Sequence, residues 1–483
     1  MALQQDEPRE LATELPSRHL PAVSYRDLPE PKPLKGILGA SIILTATAIG
    51  SGEFVLWPYI TSQVGLILMW AAVVGFLTQY FLNMEIERYT LATGETAVTG
   101  FTRSWKPWAV LFVLMAIIPN MWPGWGTGAA TLITYIVGGG SVVPIAIAAM
   151  VAIGLALTLS PVVYQTVEKV QTVLVALIAV FLVVAVTTAT GASDWGAFGA
   201  SFAKVGQFPP FEAVGGIAAL LGAIAFAGAG GASNLVQSNW IRDKEMGMGA
   251  YIPRITSPFT GQEEAAPALG YMFKEDEENL RRWRGWWKVA NIEQFFTFFV
   301  LGCLTLVIMC VLAYSTLSGK DVPSDDFAFL QTEGQILGEQ FGNWFTIAFW
   351  AAGLFALFST ELGIIDYVSR LTADTLKVTA FRESGKVTES RIYVVMVWLM
   401  ILFGSVILLV GFDQPLVLLI IASSLSGIVM FVYSVMLTVI NRRFLPASIR
   451  LSGFRLVVMV FAILFYGGFS LLLVLDQFGI SLG

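Results

Sequence analysis

One histidine, two cysteines and a charged fraction of 13% are all that 483 residues offer to polar chemistry. His19 is the single histidine, so neither an HExxH zinc motif nor a Ser-His-Asp arrangement can be assembled. No G-x-x-x-x-G-K-[ST] loop occurs, which removes an ATP site of that kind. An enzyme reading therefore fails. Cys303 and Cys310 stand seven apart in one apolar run, about 10 Å along a helix axis. That separation is too great for a disulfide, and both are read as packing residues. A nucleic-acid surface is also missing. The one charge-dense stretch, "KEDEENLRRWRGWWKVANIEQ", offsets its bases with the acids of "EDEE".

What the chain has instead is apolar length. Hydrophobic residues make up 56% and come in long blocks, and a bilayer core needs roughly 20 apolar residues per crossing helix. Eleven such segments are read, at residues 36–62, 66–86, 107–137, 142–160, 168–190, 213–240, 294–315, 343–370, 392–411, 415–440 and 454–475. The fold class expected is an all-α polytopic membrane protein with eleven transmembrane helices, its partner the lipid bilayer. Basic residues test the count, because Lys and Arg are retained on the cytoplasmic side. With the N-terminus inside, every Lys and Arg except Lys204 and Lys320 falls on the inner side. The C-terminus is then extracytoplasmic, and a plasma or inner membrane is the expected location. The formal net charge of −6 carries less information than this asymmetry.

Residues 1–33 hold Pro16, Pro21, Pro29, Pro31 and Pro33 with mixed charges. They lack the apolar core of a signal peptide and are read as a flexible cytoplasmic tail. The inner connection 242–293 is read as carrying an amphipathic helix. Either it lies at the membrane surface with Trp283, Trp286 and Trp287 at headgroup level, or it packs on the bundle.

Two of the eleven segments contain backbone-permissive clusters at matching positions. The first has "GSGE", Gly50 to Glu53, and the sixth has "GAGGASN", Gly228 to Asn234. Glycine weakens helix and can open the chain in midmembrane. The two segments open two runs of five, with an eleventh left over, and an odd number of crossings per run inverts the second against the first. That is the pattern of a 5+5 inverted-repeat transporter, whose unwound segments face each other near the midplane. The repeats are read as 34–190 and 191–440, with 441–483 holding the extra helix. Small residues also allow close helix packing, but packing does not require a glutamate. Glu53 in the bilayer normally faces a cavity or a partner. A buried ion pair or a protonated acid is the alternative to a cation site.

Over residues 34–475 the chain resembles the Nramp (natural resistance-associated macrophage protein) metal-ion transporters. The stretches that carry the likeness are "GLILMWAAVVGFLTQYF", "VVYQTVEKVQTVLVALIAV", "SNLVQS" and "AAGLFALFST". The resemblance implies the LeuT-like fold and transport of a divalent metal cation without a bound cofactor. It also locates departures. Where the family carries Asp-Pro-Gly-Asn, with Asp and Asn as metal ligands, this chain has Gly50, Ser51, Gly52 and Glu53. Where the family carries Ala-x-x-Met-Pro-His, this chain has Gly228, Ala229, Gly230, Gly231, Ala232 and Ser233. Acids that serve proton transfer in the third helix are matched by Asn120 and Pro123. The family's soft ligand and its proton route are therefore expected to be absent.

The remaining site would offer oxygen donors only, from Glu53 and the backbone of Gly50, Ser51, Gly228, Gly230 and Gly231. Such a site suits Mg²⁺ or Mn²⁺. A small organic solute, or a sensor that binds without transporting, are the other readings. Residues placed along the pathway are Asn120, Asn234, Gln237 and Glu361. Glu361 is read as a second carboxylate or as the partner of a gate base. Asp366 and Arg370 are four apart and are read as an intrahelical ion pair. Thr78 and Gln79 are read as interhelical hydrogen-bonding residues.

Overall fold

The computed structural model describes residues 10–33, 49–160, 162–255, 258–259, 269–320 and 327–480. The first part of the expected opening helix, residues 36–48, lies outside them, as do residues 1–9 of the tail and part of the 242–293 connection. Among the described residues every regular element is helical, and the only strand-like pairings are two isolated bridges.

In chain order the first turn, Ser51–Leu56, is a π-helix that continues as α1 (Trp57–Val64). Next come α2 (Met69–Thr93), α3 (Ala97–Ser104), α4 (Trp108–Asn120), α5 (Gly124–Val137), α6 (Val142–Leu159), α7 (Val163–Ala189) and α8 (Ala192–Ser201). The second half holds α9 (Gly216–Ala225), α10 (Ala232–Asp243), α11 (Glu277–Gln294), a π-helical turn Phe295–Val300 and α12 (Leu301–Leu317). It closes with α13 (Ala328–Phe341), α14 (Asn343–Thr379), α15 (Glu389–Leu409), α16 (Pro415–Arg443) and α17 (Gly453–Gln477).

Nine helical runs among the described residues are long and apolar enough to cross a membrane, and Gly216–Ala225 is a shorter apolar helix. Burial sorts them. The long α14 is the axis, packed by α5, α7, α13 and α15, whereas α7 and α17 turn residues such as Val180, Val183, Phe454 and Leu464 outward. Exposed apolar side chains at this density belong against hydrocarbon, where helices keep their own backbone bonds satisfied.

Three expectations are corrected. The run at 107–137 is two helices, because Pro119 lacks an amide donor and Pro123 stands as the N-cap of α5. Of the two readings of the helix in the 242–293 connection, packing on the bundle is the one found, and the membrane-surface reading is corrected. α11 runs through the π turn directly into α12, and Trp283 and Trp286 are buried in protein. Asp276 caps its start by accepting from the Asn279 amide at 2.8 Å.

The third correction concerns the tail. Residues 10–33 form a fastened strap with Leu15, Leu20, Val23 and Leu28 buried. Its prolines exclude helix and leave carbonyls open, and the bundle supplies donors for them. Trp286 Nε1 donates to Pro29 O at 2.8 Å and Arg282 donates to Leu28 O at 2.8 Å. Arg103 donates to the carbonyls of Pro16 and Pro21 at 3.0 and 2.9 Å. Burial of Arg103 is outweighed by its contact with Glu95, which pushes the guanidinium pKa up.

Candidate binding site at a glycine break

Helix α9 stops at Ala225 and α10 starts at Ala232, with residues 226–231 outside either helix. Gly228, Gly230 and Gly231 take positive φ of 116°, 72° and 63°, a region that side chains disfavour. Space forbids them as well. A Cβ on Gly230 would lie 2.5 Å from the Ala225 carbonyl oxygen, and one on Gly231 2.7 Å from Ser426 Cβ.

The break frees backbone groups that the bilayer cannot hydrate. Gln79 of α2 answers three of them. Its Nε2 donates to Ala225 O and Ala227 O, both at 2.8 Å, and its Oε1 accepts from the Gly230 amide at 3.0 Å. Gln79 thus holds the break open, a role more specific than helix-to-helix bonding. Trp57 Nε1 adds a bond to Ala223 O at 2.7 Å, and Ser233 Oγ donates to Gly230 O at 2.6 Å.

The first glycine cluster meets this break directly. A Cβ on Gly52 would fall 1.8 Å from the Phe226 carbonyl oxygen. Glycine at 52 is therefore a condition of contact between the two segments. Glu53, next in sequence, is fully buried. Backbone amides of Glu53, Gly50 and Gly228 lie close enough to its carboxyl to favour charge, yet among the described residues neither oxygen completes a hydrogen bond of full geometry. The break and the Ser51–Leu56 turn converge on a carboxyl group without a hydrogen-bond partner among the described residues.

Beside it lies a cavity of about 10 Å³, room for about one water. Ser51 and Gly228 line it, with Trp125, Phe226, Ala229, Ser233, Thr360, Ile364 and Tyr367. Gly228 belongs to both features, lining the cavity and carrying an amide beside Glu53. Glu53, Gly50, Gly230 and Gly231 do not line the cavity; the last two shape the break behind it.

Asn120 stands one residue removed, holding the cavity wall by accepting from the Tyr367 hydroxyl. Glu361 is buried near Gly126 with Oε2 unbonded, and no basic side chain pairs with it among the described residues. Asn234 turns toward α2, donating to Asn83 Oδ1 at 2.6 Å. Gln237 is fully buried, with neither side-chain polar atom bonded among the described residues. Sequence reasoning missed the aromatic walls. One signal was available: Thr360, Ile364 and Tyr367 follow the i, i+4, i+7 spacing of a single helix face.

Toward the end that carries the strap, charge is paired. Arg370 meets Asp366 at 2.9 Å and also contacts Asp243, so the expected intrahelical pair extends across to α10. Arg242 meets Asp374 at 2.5 Å, Tyr393 donates to Asp366 at 2.7 Å, and Thr96 donates to Asp374 at 2.7 Å. This network joins α3, α10, α14 and α15 beneath the cavity.

An apolar helical bundle with one discontinuous helix at its centre, and a buried carboxyl at the discontinuity, defines an integral membrane protein of the transporter class. Solved structures agree on the fold. The manganese transporter of Eremococcus coleocola, in one of its mutant forms, matches with TM-score 0.66 at 12% identity, over 96% of this chain and 91% of that one. The same transporter in complex with an aromatic bis-isothiourea substituted compound matches with TM-score 0.64 at 12% identity, over the same shares of the two chains. MHP1, a nucleobase-cation-symport-1 family transporter, matches with TM-score 0.54 at 13% identity, over 97% and 98% of the two chains. A sequence comparison with curated proteins finds no match. The model of the family described as natural resistance-associated macrophage protein-like matches residues 41–476, and the chain belongs to that family.

Proposed function

We propose that the protein is a secondary transporter of a divalent metal cation, working by alternating access through the cavity at the glycine break. The carrying observation is the fully buried Glu53 carboxyl beside the 226–231 break, whose oxygens complete no hydrogen bond among the described residues. A permanently unpartnered carboxylate in hydrocarbon is unfavourable by several kcal/mol, and a cation removes that penalty. Family membership supports the cargo class, and the Eremococcus coleocola structures are of a manganese transporter. The donor set is oxygen only, from Glu53, Ser51, Thr360, Ser233 and backbone. Mn²⁺ and Mg²⁺ are the ions it suits. The family's soft ligand and third-helix acids are absent from the matching positions, so the reading includes no transport of soft metals and no proton route through Asn120.

The same reading takes eleven crossings, with helices one and six unwound, a cytoplasmic N-terminus and an extracytoplasmic C-terminus. It takes 34–190 and 191–440 as inverted repeats followed by an extra helix in 441–483. The aromatic walls of Trp125, Phe226 and Tyr367 favour a small organic solute as the second reading. Uptake of Mg²⁺, Mn²⁺ and Ca²⁺ into proteoliposomes, each offered separately, tests the proposal. Saturable uptake of one ion that collapses in Glu53→Gln supports it. Folded wild-type protein that moves none of them overturns it.

A further inference from the structure

A second polar feature leaves the break and follows α2 toward the strap end. Gln79, Asn83 and Glu87 are four apart on α2, so they share one face, and each is fully buried. Glu87 stands two turns from Gln79, about 12 Å along the axis. On the facing α10, Asn234, Gln237 and Ser238 share a face in the same manner and are also fully buried. Asn234 joins the two rows by donating to Asn83 at 2.6 Å. Where α11 passes, Glu293 and Gln294 are buried as well.

What distinguishes this row from ordinary interhelical bonding is how much of it is unbonded. Among the described residues, both carboxylate oxygens of Glu87, both side-chain polar atoms of Gln237 and of Gln294, Asn83 Nδ2 and Asn234 Oδ1 have no hydrogen-bond partner. Each buried orphan is unfavourable by about 1–3 kcal/mol, and more for a charged group. Packing gives no reason to concentrate them here.

The charges around Glu87 sharpen the case. Glu293 and Arg455 both lie within electrostatic reach of it. Glu85, two positions earlier, is already engaged: Arg88 binds it at 2.7 Å, Asn441 donates to it at 3.0 Å and Arg455 lies at 3.8 Å. Arg88 and Arg455 both stack on Trp287. Arg455 is thus shared between Glu85 and Glu87, and also donates to Asn291, so it offsets the charge of Glu87 only in part.

We infer that Glu87 and Glu293, with the amide oxygens of Gln237 and Gln294, form a second divalent-cation station between the cavity and the strap end. The donors are all oxygen, the preference of a hard cation. The inference rests on the transport reading above and deepens it by giving the cargo an acceptor on its way out of the cavity.

Manganese binding to the purified full-length protein, counted by titration calorimetry and by the Mn²⁺ paramagnetic resonance signal, tests it. Two bound ions per chain are expected for wild type and one for Glu87→Gln. Glu53→Gln should also hold one, and Glu87→Asp should recover part of the second site. In liposomes Glu87→Gln should raise the KM for Mn²⁺ uptake about tenfold. Wild-type uptake with the ion count and KM unchanged in Glu87→Gln would overturn the station and leave the transport reading standing. A raised Tm with an unchanged count would mark Glu87 as a structural protonated acid. An unchanged count with a shifted pH profile would mark it as a proton site; both overturn the station. Wild type that neither binds nor moves Mn²⁺ overturns both readings. If Glu87→Gln does not fold, the same counts on Glu293→Gln decide.

Discussion

The charged network at the strap end and the broken segments at the centre hold similar residue types in opposite conditions. At the strap end Arg103, Arg242 and Arg370 each meet a carboxylate, and hydroxyls of Thr96 and Tyr393 donate to Asp374 and Asp366, leaving only Arg242 Nε and Glu389 Oε1 of these charged groups without a hydrogen bond among the described residues. At the centre Glu53, and below it on α2 Glu87, complete no hydrogen bond with either oxygen among the described residues, and Glu361 leaves Oε2 open. Burial is the same in both places, so burial does not separate them. Completed pairing locks helices together, whereas incomplete pairing leaves chemistry available for something that arrives and leaves. Under the transport proposal, the first region serves closure and the second the cargo.

The comparison can be broken most forcefully at Arg370. Replacing it by alanine strands Asp243 and Asp366 in the interior, a loss of about 3–5 kcal/mol. The expected result is a large fall in Tm or in recovered protein, measured by fluorescence-detected size exclusion over a temperature series. Next comes Gln79→Ala, which strands three backbone groups that would each be worth about 1–3 kcal/mol if water could not reach them. Uptake should fall further than stability, because the break loses its shape. Glu53→Gln should carry that order further, with uptake lost at least tenfold and Tm unchanged or raised. A Glu53→Gln protein that transports normally would put the central region on the same footing as the strap end.

Two carboxyls outside the membrane-spanning helices give a smaller, signed version of the contrast. Glu333 on α13 is buried with one oxygen unbonded, and burial pushes its pKa up to about 8. Because its folded value lies above the ordinary carboxylate range, the stability tied to its protonated form is present in acid and lost as pH rises through about 8. Thermal unfolding of Glu333→Gln should lose that alkaline decline. Glu245 is the reverse, held below the ordinary range first by its bond to Lys32. Its contribution is present at neutral pH and lost as pH falls through that depressed range. Since the pair is largely exposed, Glu245→Gln should shift stability by less than about 1 kcal/mol.

Most of the helices are legible in the chain because the bilayer imposes long apolar runs, and the run from 142 to 159 is read almost to the residue. The glycine break at 228–231 is legible for a local reason, since three glycines in four positions cannot hold a helix well. What escapes is non-local. Gln79 looks like any polar residue in a helix until the carbonyls of Ala225 and Ala227, 146 and 148 positions away, need a donor. The strap looks mobile because its prolines fit no element, and its anchors Asn279, Arg282 and Trp286 lie 251 to 257 residues on. At the candidate site, Glu53 and the glycines could be singled out by their chemistry. Trp125 and Tyr367 could not, because an aromatic in a membrane helix is ordinarily packing.

The helix from Glu277 to Leu317 is 41 residues long, about 60 Å, twice the thickness of a bilayer core. One end is clasped by the strap through Pro29 and Leu28, while its far half packs on α1 and the Glu53 turn. In mechanical terms it is a beam whose ends sit in different compartments of the molecule, with the π turn at Phe295–Val300 as its one compliant joint. A tilt of about five degrees over that length moves an end by about 5 Å, a full helical pitch. Any rocking at the centre is thereby delivered, magnified, to the segment that holds the strap.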